Sequence, residues 1–140
     1  MTILDPGRPA HAAAAQRLRS EPIIWLTTVA PSGQPQSTPV WFLWRDGEFL
    51  IYGSADGPKT GNIQANPLVC LHLEGDGRGG ANVIFEGRAT IDPAGPPADA
   101  VPAYVEKYRD FIDSYGWTPQ GFARDYPHVI RVTPTRARAW

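Results

Sequence analysis

The run Ser37-Thr38-Pro39-Val40-Trp41-Phe42-Leu43-Trp44, joined through a short hairpin to Ser54-Ala55-Asp56-Gly57-Pro58-Lys59-Thr60-Gly61-Asn62, decides how this chain reads. The first half is a β-rich, strongly aromatic stretch in which Trp41 and Phe42 point to opposite faces. Pro39 has no N–H to give to a ladder, so the strand is interrupted there or lies on an edge, and neighbouring backbone groups are left free for a ligand. The second half opens a short helix. Pro58 suits its first position, and Lys59 and Thr60 sit where free N–H groups and the helix dipole favour an anion. Asn62 is within reach of the same point. Together the two halves describe a seat for a flat aromatic ring with a phosphate tail. Two plainer readings stand beside this one: core and dimer packing accounts for most of the strand's aromatic residues, and a solvated connector with a surface lysine accounts for the loop.

Outward from this run the chain alternates strands and turns. Ile23 to Val29 is a β-rich segment, Pro31 to Pro35 a turn, and Asp46-Gly47 a hairpin turn between Ser37–Trp44 and Glu48–Tyr52. A short helix over Pro58 to Asn66 leads to a strand at Leu68 to Leu73. Asn82 to Asp92 alternates, with Val83, Phe85, Ala89 and Ile91 on one face, and Gly87 marks a bulge or a close backbone approach. His128 to Val132 is the last strand. Helices are expected at Arg8 to Ser20, over the apolar spacing Val101, Tyr104, Val105, Tyr108, Phe111, Ile112, Tyr115, and over Pro119 to Asp125 behind a Thr118 cap. The expectation is a mainly β, α+β fold: six antiparallel strands in a small closed or split barrel, with an N-terminal helix, a short phosphate-side helix and a long helix before the last strand. One domain covers 1–140, with the N-terminal helix in 1–21, barrel strands in 23–92, helices in 98–125 and the last strand in 126–134.

Composition removes several function classes. The chain has 140 residues, 42% hydrophobic and 19% charged, with 14 glycines and 15 prolines, which describes a turn-rich globular protein. Thirteen basic against 14 acidic residues leave a net charge of −1, so nothing favours nucleic acid or a membrane surface. No apolar stretch is long enough to span a bilayer, and residues 1–20 lack the apolar core of a secretion signal. A single cysteine, Cys70, forms no internal disulfide. A cytoplasmic location is the expectation.

Other candidate chemistry is thin. Gly53, Gly57 and Lys59-Thr60 do not fit the spacing of a triphosphate-binding loop. Glu74-Gly75-Asp76-Gly77-Arg78-Gly79-Gly80 lacks calcium-ligand spacing and reads as a hairpin loop, from which Arg78 is able to approach an anionic ligand tail. His11, His72 and His128 show no metal-ligand pairing, so no metal site is expected. Cys70 reads as packing, and no serine sits in a nucleophile elbow. No catalytic side chain is nominated.

The pattern Trp25-Leu26-Thr27-Thr28, Gly33 to Phe42, Lys59-Thr60-Gly61-Asn62-Ile63 and Asn66-Pro67 resembles the pyridoxamine 5′-phosphate oxidase-like split-barrel flavoproteins. Within them it resembles the flavin/deazaflavin oxidoreductases of the B type. The similarity runs from about Ile23 to Trp140 and takes in Gly75 to Gly80, Glu86-Gly87 and Arg131 to Arg136. It implies a homodimer with two cofactor sites at the subunit interface, with a deazaflavin coenzyme, F-420, as hydride carrier and FMN as the alternative. It implies strand contacts from Ser37, Thr38, Pro39, Val40 and Trp41. Ser54 would lie beside the ring or ribityl chain, and Lys59, Thr60 and Asn62 at the phosphate. Trp140 would act through the C-terminal segment, near the partner's site. The chain departs from its relatives around the phosphate helix: where they carry extra arginines, it has Gly57, Gly61, Gln64 and Ala65, leaving Lys59 as the local cation.

Hydride transfer is then the cofactor's chemistry, with the protein orienting a small, planar, electron-poor acceptor such as an enone or quinone. Trp41 and Trp44 are expected in the acceptor pocket. An FMN-dependent oxidoreductase on the same barrel and a cofactor-binding protein without turnover remain open beside it.

Overall fold

The computed structural model describes residues 2–140. Its elements are α1 (Pro9–Ser20), β1 (Ile24–Val29), β2 (Pro35–Val40), β3 (Leu43–Arg45), β4 (Glu48–Gly53), α2 (Lys59–Ala65), β5 (Leu68–Leu73), β6 (Val83–Ile91), a 3-10 turn (Ala98–Ala100), α3 (Pro102–Ser114), α4 (Pro119–Asp125) and β7 (His128–Ala139). The fold is mainly β with four α-helices, as the sequence predicts, but it has seven strands rather than six. The expected strand from Ser37 to Trp44 is two strands, broken at Trp41-Phe42.

All seven strands form one antiparallel sheet in the order β2-β1-β5-β6-β7-β4-β3. Its two outermost strands, β2 and β3, are consecutive in the chain and separated only by Trp41 and Phe42. The three Cα steps from Val40 to Leu43 span no more than about 11 Å, so the sheet has to curl until its edges approach each other. The result is a half-barrel with a seam at Trp41-Phe42. β2 pairs with β1 alone, from Ile24–Val40 to Val29–Pro35, which places Pro39 on an edge strand where its missing N–H does no harm.

The interior follows the pleat. β1 alternates buried Ile24, Leu26 and Thr28 with half-buried Trp25, Thr27 and Val29. Val69, Leu71 and Leu73 of β5 and Val83, Phe85 and Ala89 of β6 complete the interior with Phe42, Phe49 and Ile51. A second buried cluster, Leu50, Tyr52, Tyr104, Tyr108, Ile112, Phe122 and Val129, lies under α3 and α4. Asp46 and Gly47 both take positive φ (54° and 75°), the geometry that lets a two-residue turn close β3 onto β4. The register of β6 against β7 shifts at Gly87. A Cβ there would meet the Thr133 carbonyl oxygen at 2.8 Å, so the glycine is required by close approach.

β7 is much longer than the expected His128–Val132, running on to Ala139 along β6. It pairs β6 on one side and β4 on the other and so joins the two halves of the sheet. Arg131 on β7 clamps this junction. Its Nε donates to Asp92 Oδ2 (2.9 Å) and its Nη1 to Glu48 Oε1 (2.6 Å). The guanidinium holds the Asp92 carboxyl below its ordinary range.

Candidate functional site

The seam explains the strand break. Once the chain leaves β2, the backbone of Phe42 has no ladder partner, and α3 supplies one. The Tyr108 hydroxyl accepts from Phe42 N–H (2.7 Å) and shares its own proton between the carbonyls of Pro22 (2.7 Å) and Phe42 (2.9 Å). Lys107 Nζ donates to the Phe42 carbonyl at 2.7 Å and lies 3.7 Å from the centroid of the Phe42 ring. With its neighbour fixed, Trp41 is held between two rings. It stacks on Tyr108 (4.6 Å, 3°) and on Phe122 of α4 (5.2 Å, 10°).

Burial pushes the Lys107 ammonium down to about 8 from its ordinary 10.5. A charge held at a cost gives a pH signature. Below about pH 8 both folded and unfolded chains carry the proton. Between there and 10.5 the unfolded chain binds more, so stability rises with pH. We expect wild-type stability to climb between about pH 8 and pH 10, before unfolded tyrosines ionise. Lys107→Met should lessen that climb, leaving the part that half-buried Lys59 contributes, and the fold survives because Tyr108 still donates to the Phe42 carbonyl. Urea midpoints at the two pH values check this, and an equal climb in the variant would assign it elsewhere.

A cleft of about 450 Å3 opens beside the seam, lined by Pro39, Val40 and Trp41 of the first half of the opening run and Ser54 and Lys59 of the second. The aromatic residues Tyr115, Trp117, Phe122 and Tyr126 line it as well. Burial lowers the Lys59 ammonium from its usual range, and among the described residues Lys59 has no salt-bridge partner. Ser54 Oγ accepts only a long 3.4 Å bond from Asp56 N–H, leaving its own proton free. The outer edge of β2 carries backbone groups with no sheet partner.

The remaining nominated residues stand elsewhere. Ser37 Oγ is 2.5 Å from Thr27 Oγ1 on the outer sheet surface. Thr38 pairs across from buried Leu26, and its Oγ1 is buried without a partner. Thr60 Oγ1 lies 2.8 Å from His128 Nδ1, tying α2 to β7. Asn62 is 5% exposed, and its amide nitrogen donates to Thr28 Oγ1 (3.0 Å) and Gln36 Oε1 (2.9 Å), fastening α2 into the barrel. Arg78 and Trp140 lie away from the cleft, around the β5–β6 loop. There Asn82 and Trp140 exchange backbone hydrogen bonds (2.9 and 3.1 Å), and Asn82 Nδ2 donates to the Gly79 carbonyl. Trp44, expected at the acceptor, packs against the core beside Phe49 (4.6 Å).

The aromatic wall is what the sequence reading missed. Tyr115, Trp117, Phe122 and Tyr126 fall in or beside predicted helices, where apolar spacing reads as core. The signal available in the sequence was local: Tyr115-Gly116-Trp117 places two large rings around a helix-breaking glycine, and the structure leaves those rings 62% and 41% exposed.

Comparison with known proteins fixes the class. The pyridoxamine 5′-phosphate oxidase family matches residues 10–140, and the chain belongs to that family. Among solved structures, a conserved hypothetical protein from Mycobacterium tuberculosis is 28% identical with a TM-score of 0.71, covering 92% of this chain and 82% of that one. A protein described as an F420 reductase is 25% identical with a TM-score of 0.63, covering 88% of this chain and 94% of that one. A heme storage protein from Vibrio cholerae shares the fold at 15% identity and a TM-score of 0.63, covering 99% and 95%. No curated protein matches the sequence.

The family implies a flavin-type cofactor, and the donors of the cleft test whether one fits. A flat ring needs an apolar wall and backbone groups at its edge, and a phosphate needs a cation not already neutralised. Trp41, the free edge of β2, Ser54 and Lys59 supply these. Among the described residues no three His, Cys, Asp or Glu side chains group to hold a metal ion, and no helix is long and apolar enough to cross a membrane.

Proposed function

We propose that the protein is an oxidoreductase that holds the deazaflavin coenzyme F-420 in the seam cleft and serves a small, planar, electron-poor acceptor such as an enone or quinone. The observation that carries this is the meeting of the free β2 edge, Ser54 and unpaired Lys59 in one aromatic-walled cleft. The F420 reductase among the similar structures supports the choice of coenzyme. Bound there in its reduced form, the coenzyme supplies a hydride. Pro39, Val40 and Trp41 present backbone and ring to the cofactor's edge, Ser54 donates a hydrogen bond beside it, and Lys59 neutralises the phosphate. Thr60 and Asn62 hold α2 so that Lys59 faces the cleft.

FMN is the second reading. Among the described residues Lys59 is the one cationic side chain lining the cleft, which suits a single phosphate better than a tail of several carboxylates. Titrating the purified protein with each cofactor, followed by fluorescence, separates the two. We expect tight F-420 binding and negligible FMN binding; the reverse assigns FMN, and binding of neither removes the oxidoreductase reading.

A homodimer is part of this proposal. Trp25, Cys70, His72 and Ile84 point away from the barrel interior yet are only half-buried, and Trp25 stacks on His72 (6.2 Å, 7°). This surface borders Pro39 through its pairing with Trp25. Arg78 and Trp140 enter the site only through a second copy. Sedimentation as a monomer would remove this part.

A further inference from the structure

The cleft does not end at its aromatic wall. A second hollow, of about 540 Å3, shares Ser54, Trp117, Phe122 and Tyr126 with the first and continues past them toward α4. Its rings are braced: Phe122 stacks on Tyr126 (4.6 Å, 16°), and Tyr115 stacks on Trp117 (4.4 Å, 20°). Ala55 N–H donates to the Asp125 carbonyl (3.3 Å), which ties the loop after β4 to the end of α4.

The two hollows differ in charge. The first contains Lys59 and no carboxylate. The second contains Asp56, Asp125 and Arg124. Arg124 Nε lies 3.9 Å from Asp125 Oδ1, so one pair cancels and Asp56 remains without a salt-bridge partner among the described residues. Aromatic faces beside an uncompensated carboxylate are the chemistry that selects an organic cation over a neutral or anionic ring.

We propose that the second hollow is the acceptor compartment and that the acceptor is a planar organic cation of the iminium or pyridinium type. This rests on the cofactor reading given above, keeps its planar, electron-poor acceptor, and puts a charged one in place of the enone or quinone. The reaction balances without a further reagent. Were the reduced cofactor bound, the ring bond carrying the hydride would break, its two electrons would form a C–H bond at the acceptor's electron-poor carbon, the C=N π pair would move onto nitrogen, and the proton left on the cofactor ring would pass to water. With a pyridinium acceptor the product is a neutral dihydropyridine, so the step that reduces it also removes the charge that Asp56 holds and product leaves more readily than substrate; an iminium acceptor gives an amine that takes up a proton and keeps its charge.

The test uses the cofactor-free protein and calorimetric titration at about pH 8 with three ligands of matched size: 1-methylquinolinium, neutral 4-methylquinoline and anionic 2-naphthoate. We expect the cation to bind about fivefold tighter than the neutral ring, and the anion, titrated into Lys59→Ala so that the first cleft offers it no cation, to bind most weakly. Asp56→Asn, on an exposed loop, should reduce the cation's advantage to below about twofold, and Trp117→Ala should weaken the cation and the neutral ring together. Equal binding of the cation and the neutral ring, or an advantage that survives Asp56→Asn, overturns the proposal. Because no cofactor is present, a protein that binds neither F-420 nor FMN yet prefers the cation loses the cofactor reading and keeps the site. One that binds a cofactor without preferring the cation loses this inference alone.

Discussion

Replacing Tyr108 with phenylalanine will cost about 2–3 kcal/mol of folding stability, more than any other single-oxygen deletion we expect in this protein. The side chain is 1% exposed, and its hydroxyl is the partner of the Phe42 N–H. Phenylalanine keeps the ring stacked on Trp41 but leaves that buried donor unsatisfied, at a cost of about 1–3 kcal/mol. The Pro22 carbonyl loses its donor as well, while Lys107 still serves the Phe42 carbonyl. Urea unfolding measures the loss, and a change below about 0.5 kcal/mol would show that the seam does not depend on this hydroxyl. Cofactor affinity should fall with it, because the crossing that orients Trp41 is loosened.

Lys59→Ala should act on binding alone. It removes the cleft's cation, and a charge-assisted contact is worth about 1.5–3 kcal/mol, or roughly a tenfold to hundredfold rise in Kd. Stability should hardly change, since Lys59 makes no salt bridge among the described residues. Its lowered pKa adds a second readout: affinity should fall on the alkaline side earlier than for an ordinary lysine, as the proton is lost. An unchanged Kd would place the phosphate elsewhere.

Local pattern made most of the elements legible. The alternation of β5 and β6, the Asp46-Gly47 turn, the Thr118 cap and the bulge at Gly87 are each written in a few adjacent residues. The break at Trp41-Phe42 is not, because what compensates it is a tyrosine and a lysine more than 60 positions away. The length of β7 was hidden for a related reason. Pro134 and the arginines after it look like a tail until β6 supplies a ladder with a register shift that places Pro134 opposite Gly87. At the site, Pro39, Val40, Trp41, Ser54 and Lys59 converge because the seam folds the two halves of the opening run together. Asn62 reads the same in sequence whether it faces a ligand or the interior; Thr28 and Gln36 supply the interior partners.

The placement of β7 has a consequence for how the molecule is made. The last strand in chain order lies between β6 and β4, so every earlier strand belongs to one of two separate ribbons, β2-β1-β5-β6 and β4-β3. Until β7 arrives, each ribbon exposes an open edge able to pair with the wrong chain. Synthesis therefore yields no partially finished barrel. The sheet closes in one late, non-local event, and the interval before it is when the nascent chain is most exposed to misassembly.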